Sequence, residues 1–210
     1  VDGILQIDPL NHFVNMEQTR MNGFEKGSDS LVASKIRNEF EKETTLNVAL
    51  RYAELGFGTE ALLTLLSSGL SVKNALWAAY LQKDANPTES ERLLNEALTG
   101  KVNLVFPYRR ETLPVMEWAT TKNDNWKLKF YLAQNLLAVG LEDKGKSILN
   151  ELGDTPDSDV FYRFRAALMK ESSFDQRTKD YQRAMELKPS DWKVWEETIQ
   201  FYLQNEKLLL

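Results

Sequence analysis

The strongest constraint on this chain is a near-unbroken succession of helix-length apolar patterns, parted by breaks of only a few residues. No stretch alternates apolar and polar side chains over the length of a strand, so no sheet is required anywhere. The clearest pattern covers residues 124–139, where Leu128, Leu132 and Leu136 recur every four residues and Gly140 stops the helix. Residues 142–152 are predicted to return against it, burying Ile148, Leu149 and Leu152. Earlier helices are predicted over 31–40 and 46–55, the second with Leu46, Ala49, Leu50 and Ala53 on one face and Gly56 as its stop. Thr59 then precedes a run in which Ala61 pairs with Leu65 and Leu62 with Leu66 at four-residue spacing. Around Trp77 and Tyr80 sit the small residues Ala75, Ala78 and Ala79.

Local chemistry marks the ends of these patterns. Thr88 with Glu91, and Ser173 with Gln176, have the spacing of capping boxes, in which side chains satisfy the free N–H groups of a first turn. Pro114 is tolerable only in the first turn of its helix, where no hydrogen bond is lost. Residues 159–169 and 173–187 form the next predicted pair, and 192–203 closes the series after Pro189. Two regions stand apart. Residues 1–29 read as an irregular segment, with a short helix allowed to start at Pro9. Near 101–109, Val102 to Phe106 is apolar but Pro107 forbids a continuous helix, so an ordered packed loop is expected. Residues 30–210 then read as one helical domain, because short connections favour antiparallel helix neighbours.

Spacing favours stacked pairs over a closed bundle. Phe161 and Trp195 lie one 34-residue interval apart, and Tyr181, Ala184 and Pro189 fall between them as aromatic, small and stop positions. This pattern resembles the tetratricopeptide repeat, a 34-residue helical hairpin. Ala49, Tyr52, Gly56 and Ala61 resemble another copy, and Trp195 with Tyr202 the opening of a last one. The resemblance implies an all-α fold, a right-handed α-α superhelix of antiparallel pairs. Trp195 reads as an inter-helix wedge, and if it is one its replacement by Ala would cost about 3–5 kcal/mol. The set of Lys, Asn and Arg that some members use to clamp a terminal carboxylate is missing.

A second resemblance rests on DPLNHF (residues 8–13), RNEF (37–40), VFPYR (105–109), DNWKLKFYLA (124–133) and the stretch 181–202. These are similar to the C-terminal repeat region of large bacterial multidomain proteins. In that family the repeats follow β-rich domains that resemble carbohydrate-active enzymes. The resemblance implies that Val1 is an edge within a longer polypeptide and that any catalysis belongs upstream.

Composition narrows the chemistry further. The chain has no Cys and one His, which removes thiol nucleophiles, disulfide frameworks and Cys/His zinc sites. Its net charge of -5 argues against a nucleic-acid backbone binder, which needs a basic stripe. No run approaches the roughly 18 apolar residues of a membrane span. No uncleaved secretion signal opens the sequence, and cytoplasm and periplasm both stay open.

His12 has the residue type for acid–base work but no partner cluster, so it reads as a helix cap or a junction to a preceding domain. Glu39, Glu41 and Glu43, and Glu196 with Glu197, read as solvated helix faces rather than a hydrolytic pair. Hydrolase, metalloprotease, nucleotide and dinucleotide motifs are absent. No catalytic, cofactor-binding or metal-ligating residue is therefore expected. The abundant aromatics are read mostly as inter-helix packing, with a remainder available to line a groove. Tyr108, Arg109, Arg110, Trp118 and Trp126 are the expected interaction surface, although Arg109 and Arg110 also suit a solvated helix start. The predicted role is a non-catalytic protein–protein or domain–domain scaffold. Its alternative is an accessory region of a multidomain bacterial glycan-processing enzyme, the only case in which carbohydrate contact is expected.

Overall fold

In the computed structural model, which describes residues 2–22, 40–67, 69–170 and 172–205, every regular element is helical. The helices group into two compact units, Val1–Gly100 and Lys101–Leu210. The division falls where the predicted 101–109 loop begins, so the 30–210 boundaries read from sequence coincide with neither unit. The helix expected over 31–40, and Glu39 with it, lies outside the described residues apart from Phe40.

The first unit holds α1 (Asp2–Ile7), α2 (His12–Met21), α3 (Glu41–Glu54), α4 (Gly58–Ser67), α5 (Val72–Gln82) and α6 (Pro87–Thr99). The segment 1–29, read as irregular with a short helix allowed from Pro9, holds α1 and α2 over its described part, and α2 covers much of that allowed helix. Pro9 sits in the turn between them, and Asn11 caps α2 by accepting a hydrogen bond from the Val14 N–H at 3.1 Å. Sequential helices pack on one another, α3 on α4 and α5 on α6 most extensively. Leu46, Ala49 and Leu50 are buried as expected, and Gly56 supplies the positive φ of +82° that turns α3 into α4. Ala75, Ala78 and Ala79 are fully buried, and their small size lets α6 approach α5 closely enough for Ser90 Oγ to donate to the Ala79 carbonyl at 2.7 Å. The predicted Thr88/Glu91 capping box gives way to Asn86. Pro87 is pre-set as a first helical residue, so the cap falls earlier in the chain, where the Asn86 side chain accepts from the Glu89 N–H.

The second unit contains a 3-10 turn (Arg110–Thr112), α7 (Leu113–Lys122), α8 (Trp126–Ala138), α9 (Glu142–Leu152), α10 (Asp159–Leu168), α11 (Phe174–Leu187) and α12 (Trp192–Gln204). Antiparallel pairs α8/α9 and α10/α11 dominate its packing, and α12 lies against α11 and α10. The predicted all-α class of antiparallel pairs holds in both units. Leu128, Leu136, Leu149 and Leu152 are buried, while Leu132 and Ile148 are half-buried. What brings α9 so near α8 is Gly145: a Cβ there would stand 2.7 Å from Leu137 Cγ and 3.0 Å from the Ala133 carbonyl. Ser173 caps α11 through the Gln176 N–H, as its spacing predicts.

Aromatic contacts join successive hairpins. Phe130 meets Phe161 and Phe164, each at 5.4 Å between ring centres, and Tyr181 and Phe174 close on Phe201 at 4.9 and 5.1 Å. Phe161, Tyr181 and Ala184, the repeat positions named from sequence, are all buried. Trp195 is not. It is 46% exposed, with its indole N–H donating to the Pro189 carbonyl, so the expected wedge role is corrected. Among the described residues no later helix covers this face of α12.

Candidate functional site

The side chains of α10 and α12 that face each other form an open groove of about 700 Å³. Its walls follow from helical periodicity. Val160, Phe164 and Ala167 lie along one stripe of α10, and Lys193, Glu197 and Gln200 along one stripe of α12. Tyr181 and Phe201 contribute apolar surface beneath, where burial pushes the Tyr181 phenol above its ordinary value.

An ion pair crosses the groove. Arg163 Nε donates to Glu197 Oε2 at 2.7 Å while its Nη2 donates to Glu197 Oε1, and Nη1 donates to Asp159 at 3.2 Å. Arg163 and Glu197 are 34 residues apart, so equivalent positions of successive first helices meet here. That contact is direct structural support for the repeat interval inferred from Phe161 and Trp195. The Glu197 carboxylate holds the Arg163 guanidinium above its already high ordinary pKa. Glu197, read from sequence as part of a solvated acidic face, is therefore a repeat-joining residue.

The loop before the 3-10 turn supplies the lip. Val102, Val105 and Pro107 are buried, whereas Leu104, Phe106 and Tyr108 face outward. From Leu104 to Tyr108 this is the period of two that an extended, packed segment produces. Asn135, fully buried in α8, fixes it by donating to the Pro107 and Arg109 carbonyls at 2.5 and 2.8 Å. Leu104 is 85% exposed and holds a φ of +62°, an unfavourable conformation for a non-glycine residue. Leu104 and Phe106 both line the groove.

The five residues expected to form an interaction surface lie on the loop, the 3-10 turn, α7 and α8. Tyr108 is exposed and stacks under the Arg109 guanidinium at 5.0 Å, and Arg110 opens the 3-10 turn, the helix-start role its sequence position allows. Trp126 packs on Phe130 and Phe161 at 6.4 and 6.5 Å, and Trp118 is half-buried on α7. None of the five lines the groove between α10 and α12. The loop does project over a groove, but through Leu104 and Phe106. Their buried neighbours Val105 and Pro107 were the available signal. His12 is the first residue of α2, and the capping role expected of it belongs to Asn11.

Among the described residues, no group of three His, Cys, Asp or Glu side chains is placed to hold a metal ion. No helix among them is long and apolar enough to cross a membrane.

No protein-family model and no curated protein matches this sequence. Similar solved structures include MamA of AMB-1, with 16% identity over 79% of this chain and 83% of that one and a TM-score of 0.38. MamA of MSR-1 gives 15% identity over 80% and 88%, with a TM-score of 0.40. A thermophilic TPR protein in Thermus thermophilus gives 18% identity over 77% and 99%, also with a TM-score of 0.40.

Proposed function

We propose that this chain is an interaction scaffold whose second unit receives a segment of another protein, or of an adjoining domain, in the groove between α10 and α12. The observation that carries this reading is the groove itself: an open concavity with an apolar α10 wall of Val160, Phe164 and Ala167, a polar α12 wall, and the exposed Leu104 and Phe106 at its lip. A surface of that kind offers anchors for side chains and hydrogen-bond partners for a backbone.

Selection from a displayed random-peptide library tests it, with counter-screens on two variants. Ala167→Trp fills the groove from an exposed position of α10, and Trp195→Ser removes an exposed ring from the opposite face of α12. Enriched peptides should lose binding to Ala167→Trp and keep it on Trp195→Ser. The reverse pattern moves the binding surface to α12's outer face, and an empty selection ends the scaffold reading of the groove.

A further inference from the structure

Resting on the groove as a protein-binding surface, we infer that its occupant is an acidic, amphipathic peptide segment. The charged side chains lining the groove are Arg163, Lys170, Arg177 and Lys193 against Asp191 and Glu197, a cationic excess within a chain of net charge -5. Both carboxylates are already committed. Glu197 takes the Arg163 fork, and an Asp191 oxygen accepts the Lys193 N–H as the cap of α12. Lys170, Arg177 and Lys193 line the groove without an ion pair among the described residues, and Lys193 Nζ lies 5.9 Å from the Trp192 ring centre. Arg177 donates through Nε to the Ala166 carbonyl and lies over the Phe201 ring at 4.7 Å, which leaves its two terminal nitrogens for an incoming acceptor.

The apolar half of the site decides what kind of anion fits. Leu104 and Phe106, 85% and 50% exposed, stand at the lip beside these cations. A phosphate backbone has no use for them. A peptide that places Asp or Glu beside Leu or Phe satisfies both halves at once. Its carboxylates reach Lys170, Arg177 and Lys193 while its apolar side chains cover the lip and the Phe164 and Ala167 wall.

Fluorescence anisotropy on the full chain tests this with four labelled probes: a short peptide repeating Glu, Leu and Phe, its Gln-for-Glu and Lys-for-Glu counterparts, and oligouridine. At low salt the Glu peptide is expected to bind about tenfold tighter than the Gln peptide, with the gap closing as salt is raised. Lys170→Glu with Lys193→Glu, both at exposed positions, should abolish the gap without loss of helical circular dichroism. The charge-neutral pair Lys170→Gln with Lys193→Gln should fall between. Equal binding of Glu and Gln peptides, or preference for the Lys peptide or oligouridine, overturns the inference. If the Gln peptide binds equally well and is lost on Ala167→Trp, the groove reading stands without its charge preference. If no probe binds, or none is affected by Ala167→Trp, both readings fall.

Discussion

Arg165 shows how much a single side chain can hold together in the second unit. It is buried and forks onto Asp180 at 2.9 and 2.6 Å, while Nη1 donates to the Gly153 carbonyl at 2.7 Å. The guanidinium also lies 4.9 Å from the Phe161 ring centre. Both members of the ion pair are almost fully removed from water, so their net worth is small but the loss of one is costly. Arg165→Met strands the Asp180 carboxylate and is expected to lower unfolding free energy by about 3–5 kcal/mol in urea melts. Arg165→Met combined with Asp180→Leu should recover most of it. A single variant as stable as the parent would show that Asp180 finds water or another donor. Trp195 gives the opposite case. With its ring half in solvent and one hydrogen bond to Pro189, Trp195→Ala is expected to cost roughly 1 kcal/mol, well short of a wedge. A loss of several kcal/mol would restore the wedge. Burial of Phe161, Tyr181 and Ala184 was legible because apolar periodicity states which face turns inward. That Trp195 shares their register but not their burial was not legible, since exposure depends on what packs against the face.

At the scale of elements, close approach and anchoring decide where helices and loops sit. Gly145 lies within α9, where replacing glycine by alanine normally stabilises by up to about 1 kcal/mol. Here the added Cβ would collide with Leu137 and the Ala133 backbone, so Gly145→Ala is expected to lower the melting temperature. Gly58→Ala, on α4 with nothing within 4 Å, is the control and should not. Equal effects at the two positions would refute tight α8/α9 packing at Gly145. Asn135 plays the corresponding part for the loop. Asn135→Ala removes two hydrogen bonds and leaves two loop carbonyls without their donor, an expected loss of about 1–3 kcal/mol. Amide exchange over residues 102–109 should accelerate more than in α9. Unchanged exchange there would mean that Val105 and Pro107 anchor the loop without it. Helix bodies and the Ser173 cap could be read from the sequence because they are local. Asn135 could not, because its acceptors lie 28 and 26 residues away. The misplaced cap at Thr88 was a local error, corrected by the preference of proline for a first helical position.

For the whole molecule, composition limits the chemistry and topology makes the site. The chain has no Cys, one His and a net charge of -5, yet its groove between α10 and α12 carries more cations than carboxylates. The cations of the groove come from α10, the turn after it, α11 and the start of α12, which the packing of these helices brings to one concavity. Sequence alone pointed to a loop-borne surface near Tyr108, a few residues past Leu104. Leu104 and Phe106 of the same loop line the groove instead, and the inward Val105 and Pro107 alternate with them. The most direct test of that groove as the binding surface is photo-crosslinking of the Glu, Leu and Phe peptide to two full-chain variants. One carries a benzophenone side chain in place of Leu104 at the lip, and the other carries it in place of Trp192 on the outer face of α12. Crosslinking from position 104 with little from position 192 is the expected result. Crosslinking confined to position 192 would contradict it and assign binding to the exposed stripe of α12.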